Sequence, residues 1–184
     1  MRGPLRLLGL LGLLVGSPAE ATPENPALTE AELLHRRLPL DGLSQWNAAS
    51  QRFVPLTERP PAKVTVLHLW SPHCVPCVAE LPLWQRLLTA WRSEPAVRFL
   101  LVADFGEDSD GSDVVSFVAS HRGQFPSGPV LRLRDPRLRE ALSTSVQPLT
   151  LLLDEKLVVR QAFVGPLTGR NVGTAVTRLL SALR

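Results

Sequence analysis

The chain contains two cysteines, three residues apart in Cys74-Val75-Pro76-Cys77. At that spacing two thiols can close into a disulfide and reopen with little movement of the surrounding chain. With no third cysteine, neither has another partner within the chain. Three kinds of chemistry fit: reversible dithiol–disulfide exchange, a structural cross-link, or half of a metal site. So short a loop constrains the unfolded chain by only about 2 kcal/mol, against about 4.7 kcal/mol for a loop of about 100 residues, which weakens the cross-link. A structural zinc site wants four ligands, as two cysteine pairs or one pair with two spaced histidines. His68 and His73 are nearby, but no second pair exists, which leaves a soft two-thiolate Cu(I) site as the metal alternative. The expectation is redox exchange, with no bound cofactor and no metal.

The elements flanking the pair decide its reactivity. Residues 64–70 are almost continuously apolar, as in a strand buried on both faces. After Cys74 a helix is expected to about residue 91, with Leu81, Trp84, Leu88 and Trp91 forming one apolar stripe and Pro82 kinking it. Cys74 then stands where strand gives way to helix. Unpaired N–H groups and the positive end of the macrodipole favour a thiolate there. Lowering a thiol from a pKa of about 8.5 to about 7 makes it half ionised at neutral pH. Cys74 is the expected attacking sulfur, exposed at the helix tip. Cys77, one turn later and more buried, is the expected resolving sulfur. Pro76 fits a first turn, where its missing N–H costs little.

The rest of the chain supplies a scaffold. Residues 97–102 read as a second buried strand, 113–122 as a short helix with Ser112 as N-cap, and 130–133 as a short strand. Asp135-Pro136 opens a helix over 135–142. Two strands, 149–154 and 157–164, form a hairpin about a turn at 154–156. Val172, Ala175, Val176, Leu179, Leu180 and Leu183 mark a helix over 171–183. Upstream, 28–37 reads as a short helix, 39–61 as turn-rich, and 52–56 as an edge strand because it contains Pro55. This order implies an α/β domain, a central mixed β-sheet flanked by helices on both faces.

Bulk properties set the class. A chain of 184 residues, 45% hydrophobic, suits one globular domain. The net charge is only +3, and Arg132, Arg134, Arg137 and Arg139 alternate with apolar residues like a solvated edge, so nucleic acid is not expected as a partner. The acidic run at 107–113 lacks the ligand spacing of a calcium loop and reads as a connector. Arg2 and Arg6, the apolar run 7–15 and the small-x-small site Ala19-Glu20-Ala21 read as an export signal over 1–21, removed before Thr22. That run is shorter than the ~20 residues needed to cross a bilayer, so no stable membrane insertion is expected after cleavage. The expected location is periplasmic or otherwise extracytoplasmic, where disulfides persist. Residues 22–37 would be a flexible leader with a short helix, and 38–184 the folded domain.

The stretch from His68 to Pro82 resembles the thioredoxin superfamily. More closely, it resembles exported thiol–disulfide oxidoreductases of the ResA/TlpA type: Trp70, Cys74, Pro76, Cys77, Glu80 and Pro82 match their pattern. The resemblance implies a thioredoxin fold from about residue 38 onward. It implies reduction of disulfides in other exported proteins, apocytochrome c among them, with electrons from a membrane thiol donor. It further implies that Pro148 is cis beside the cysteines, that the backbone of Gln147 pairs with substrate main chain, and that Trp70 and His73 lie at the substrate surface. An X–Pro bond is the plausible cis site on energetic grounds. Glu80 is implied to be a partly buried carboxylate that tunes the cysteines and relays protons, and burial would raise its pKa. Two residues depart from the pattern. His73 replaces a Trp, and a protonated imidazole there would stabilise the thiolate and make the pair more oxidising. His68 stands where cytoplasmic thioredoxins have a buried acid. The alternatives are an oxidase of substrate thiols with the same fold, and a Cu(I) chaperone using Cys74, Cys77 and a histidine.

Overall fold

The computed structural model describes residues 28–56, 62–104, 111–121, 123, 125, 130–133, 135–142, 146–167 and 171–183. The expected export signal, residues 22–27 of the leader, and residues 107–110 of the acidic run lie outside the described residues.

The order of elements is α1 (Glu30–Leu33), β1 (Leu43–Asn47), β2 (Arg52–Pro55), β3 (Val64–Trp70), α2 (Val75–Ala79), α3 (Leu81–Trp91), β4 (Val97–Ala103), α4 (Ser112–Ser120), β5 (Leu131–Leu133), α5 (Pro136–Leu142), β6 (Leu149–Leu153), β7 (Val159–Val164) and α6 (Val172–Ala182), with a 3-10 turn at Leu40–Gly42 before β1. The strands form one seven-stranded sheet in the order β2-β1-β5-β4-β3-β6-β7. β3 is parallel to β4 and β4 to β5, while β6 is antiparallel to both β3 and β7. The sheet is therefore mixed, as expected.

β3 is central, and every one of its seven residues is buried. Successive side chains point to opposite faces of a strand, so an uninterrupted apolar run means that both faces are covered. Val64, Val66 and Trp70 pack with Leu81 and Trp84 of α3, Val114 of α4 and Val172, Ala175, Val176 and Leu180 of α6. Leu67 and Leu69 pack on the other side with Leu33 of α1 and Leu138 and Leu142 of α5. Each such side chain contributes about 1.5–3 kcal/mol by leaving water. The two cores clamp β3, and with it the segment that carries Cys74.

Three expectations change. The helix at 28–37 shrinks to one turn. Thr29 and Glu32 form a reciprocal capping box at its start, but His35 adopts φ 65°. From His35 to Leu38 the backbone bonds Leu157 and Val159 beside β7, which takes the donors and acceptors a longer helix would use. Second, β1 was not foreseen within the turn-rich stretch. It pairs with β2 through a turn in which the Asn47 side chain accepts the N–H groups of Ala49 and Ser50. β2 is the edge strand expected from Pro55. Third, Ser112 is the first residue of α4, and its N-cap is Gly111, whose φ of 82° suits a glycine. The arginines are also less uniformly solvated than expected. Arg139 pairs with the buried Asp104, and Arg132 lies over the Phe53 ring. Arg134 lies outside the described residues.

Candidate active site

Cys74 follows β3 and is the N-cap of α2. The turn between is built locally: the Cys74 N–H donates to the carbonyl of Ser71, and the Ser71 hydroxyl accepts from the N–H of His73. Val75 and Pro76 open the helix, where proline is tolerated. Cys74 and Cys77 are joined as a disulfide with Cα atoms 5.2 Å apart. The Cys77 N–H donates to Cys74 Sγ at 3.2 Å, so an orphan donor of the helix start points at that sulfur. Cys74 is partly exposed, whereas Cys77 is 0% exposed and belongs to the core with Trp84 and Leu167. Val75 between them is 80% exposed, so the tip of α2 faces solvent.

The helix expected to run through residue 91 breaks at Glu80, which ends α2 and caps α3, with Pro82 at the start of α3. Glu80 thus sits at the joint between two helices. Its Oε1 accepts the N–H of Leu167 at 2.5 Å. Burial pushes its pKa above the ordinary carboxylate range, while the Leu167 N–H and the Trp84 indole oppose the rise. Oε2 is buried without a formed hydrogen bond, and so is the indole N–H, although the two groups are close enough to interact. The loop that holds Glu80 also reaches the next strand: the N–H of Gly165 donates to the carbonyl of Pro148.

Pro148 is buried one residue before β6, and the Gln147–Pro148 bond is cis. Since Leu149 pairs with Leu69, Pro148 and Gln147 lie at the end of β3 that leads to Cys74. Gln147 is partly exposed, and its side-chain amide donates to Asp104 at 3.4 Å. Asp104 carries no signal in the sequence, and its partner Arg139 reads there only as part of a solvated arginine edge. Both come from elements distant along the chain, and no local motif marks them.

Trp70, His73 and His68 have different settings. Trp70 is 1% exposed and packs on Phe117 and Phe125, so it supports the site from within rather than forming its surface. His73 is 73% exposed beside Cys74, with Nε2 3.6 Å from Asp113 at the start of α4. His68 lies in the core. Its Nδ1 pairs with the hydroxyl of Thr150, its register partner in β6, at 3.0 Å, and its ring lies 4.2 Å from the Trp84 ring. Burial pushes its pKa down to about 3, so the imidazole is neutral at physiological pH. Among the described residues, no group of three or more histidine, cysteine or acidic side chains converges as a metal site would require.

A disulfide that opens a helix at the end of a central strand, beside an antiparallel strand preceded by a buried cis-proline, defines a thioredoxin fold. The structure is similar to that of StoA from Bacillus subtilis (TM-score 0.54, 19% identity, covering 76% of this chain and 97% of that one). It is similar also to a secreted disulfide oxidoreductase of Mycobacterium tuberculosis homologous to E. coli DsbE (TM-score 0.52, 20% identity, 77% and 96%). In sequence, the chain is 26% identical over 168 residues to sporulation thiol-disulfide oxidoreductase A of Bacillus subtilis, covering 91% of this chain and 90% of the relative. No protein-family model matches. The chain thus has a thioredoxin-like fold and is similar in sequence to a thiol–disulfide oxidoreductase.

Proposed function

We propose that the protein reduces disulfides in other exported proteins, with Cys74 attacking and Cys77 resolving. The supporting observation is the unequal burial of the two sulfurs: Cys74 is within reach of a substrate and Cys77 is sealed in the core behind it. In the dithiol form the Cys74 thiolate attacks one sulfur of the substrate disulfide. That S–S bond breaks, a Cys74–substrate bond forms, and the departing substrate sulfur takes a proton. Cys77 then loses its proton and attacks Cys74 Sγ, which releases the second substrate thiol and forms the Cys74–Cys77 disulfide. Two electrons and two protons reach the substrate. Glu80, beside Cys77 in the chain and with a raised pKa, is suited to accept the Cys77 proton and return it. Gln147 and Pro148 receive the substrate main chain, and His73 lies at the rim.

The direction of electron flow follows from what stabilises the thiolate. A strongly oxidising pair needs a stabilised reduced form. Here the exposed imidazole of His73, adjoining Cys74, faces the carboxylate of Asp113 at 3.6 Å, so a negative group stands beside it rather than a second cation. Helix α2 has only five residues before its break, so it adds little dipole. Glu80 carries negative charge when ionised. The pair is therefore a reductant, re-reduced by a thiol donor at the membrane, and a role in preparing apocytochrome c thiols fits this chemistry. The export signal read over 1–21 supports a location outside the cytoplasm.

The test is reduction of insulin by the dithiol form. Wild type should reduce it catalytically, Cys74→Ser should be inert, and Cys77→Ser should accumulate a mixed disulfide through Cys74. No reduction and no trapped species would overturn the proposal.

A further inference from the structure

Asp104 is the first residue after β4, and its surroundings are unusual for an acid. Its side chain is 5% exposed, at the end of the sheet where Cys74 lies. Its N–H donates to the carbonyl of Trp70, the last residue of β3, which fixes the backbone of Asp104 relative to the strand that carries Cys74. One carboxylate oxygen lies 2.7 Å from Nη1 of Arg139, whose side chain is 24% exposed. That contact is ionic rather than a well-aligned hydrogen bond, since the same oxygen counts no formed hydrogen bond. The other oxygen accepts the side-chain amide of Gln147 at 3.4 Å. A buried carboxylate is costly unless paired, and a sheltered guanidinium is the partner that makes it tolerable. Three separate elements, β4, α5 and the turn before β6, thus converge on one carboxylate.

We infer that Asp104 and Arg139 are positioning residues for substrate binding: together they draw the Gln147 side chain inward and so set its backbone for the incoming polypeptide. This rests on the reading that Gln147 and Pro148 receive substrate main chain. Among the described residues the backbone N–H and carbonyl of Gln147 have no main-chain partner. Were the Gln147 side chain free, it would swing across that backbone, and the turn before Pro148 would lose its anchor to β4. Arg139 acts at one remove. It holds the Asp104 carboxylate in place through the 2.7 Å contact, and it touches no reacting atom.

The experiment measures insulin reduction at varied substrate concentration for wild type, Asp104→Asn, Arg139→Met and Arg139→Lys, together with the reduction potential of each. Asp104→Asn and Arg139→Met should raise KM about fivefold with kcat within about twofold, the pattern of lost binding common to ground and transition states. Their potentials should match wild type, and Arg139→Lys should restore a near-normal KM. A merely structural role would instead lower kcat and shift the potential along with KM, and that result overturns the inference, as does an unchanged KM in both variants. If wild type exchanges electrons with glutathione but leaves insulin intact, the protein-disulfide reading itself fails, and this inference with it.

Discussion

A buried acid and a partly buried one are tied to opposite ends of strand β6, and they behave in opposite ways. Asp154 follows the strand at the hairpin turn. Its carboxylate accepts the N–H groups of Lys156 and Val158 and the guanidinium of Arg160, with Nη2 at 2.7 Å. Burial alone would raise its pKa, but the Val158 N–H, the Arg160 guanidinium and the Lys156 N–H outweigh it and hold the acid below its ordinary value. Glu80 is tied to the other end of the strand through the loop that bonds Pro148. It has one backbone donor, its second oxygen has only the nearby Trp84 indole without a formed hydrogen bond, and burial raises its pKa. Neither acid is free to leave its site. They differ in how fully each is satisfied. Asp154 is locked as an ion and does structural work, whereas Glu80 can hold or release a proton. The difference teaches that the balance of hydrogen-bond donors against burial sets which acid is held as an ion and which binds its proton more readily.

Swapping each acid for its amide should separate the two roles. Glu80→Gln keeps an oxygen for the Leu167 N–H but cannot carry a proton. It should slow resolution at Cys77 by about 100-fold and delete one titration, above the ordinary carboxylate range, from the single-turnover pH profile. Its stability should rise slightly at pH 7. The folded acid binds its proton more readily than the unfolded one, so ionisation above the raised pKa works against the fold. A destabilised Glu80→Gln with an unchanged pH profile would make Glu80 a second structural acid.

Asp154→Asn should behave the other way. Denaturant unfolding at pH 7 should show a loss of about 2–3 kcal/mol, because charge-assisted bonds to two N–H groups and a guanidinium weaken together. The folded pKa of Asp154 lies below its ordinary 3.8, so its stabilisation is present above that value and fades as pH falls through the folded pKa. Insulin turnover per folded molecule should not change.

A third titratable group lies between them. His68 is neutral in the fold, with a pKa near 3 against an ordinary 6.5. The unfolded chain therefore binds the proton first as pH drops. Stability should be level above pH 6.5 and should fall below it, by about 2 kcal/mol at pH 5 from this group alone. His68→Leu should flatten that part of the curve, as read from unfolding midpoints at pH 7 and pH 5. An equally steep loss in the variant would place the pH sensitivity elsewhere. The smallest effect is expected from Trp84→Phe. It keeps an aromatic ring against His68 but removes the indole N–H that favours ionised Glu80, so the Glu80 titration should move further up in the pH profile.

The parts legible in the sequence were those with a local signature. β3 announced itself as an apolar run, α6 by its periodicity, the hairpin by its turn, and the cysteine pair by spacing alone. The parts that were not legible depend on distant pairing. The early helix ends after one turn because β7 takes its backbone, and β1 gains its place only by lying between β2 and β5. Within the site, Cys74, Cys77, Glu80 and Pro148 stood in a pattern that could be recognised. The Leu167 N–H that holds Glu80 lies 87 residues away, and the Asp104 anchor of Gln147 lies 43 residues away, so no window of sequence joins them. Trp70 shows a third kind of limit: its motif put it near the cysteines in sequence, but only packing could say that its ring lies against Phe117 and Phe125.

The most direct test of the account is the reduction potential of the Cys74–Cys77 couple, read at equilibrium against glutathione. A reductant whose thiolate gains little stabilisation, with Asp113 facing His73 and the carboxyl of Glu80 nearby in the chain, should lie toward the thioredoxin end of the scale, near about −270 mV. A value near about −120 mV, where the reduced form is strongly stabilised, would contradict it and make the protein an oxidant of substrate thiols.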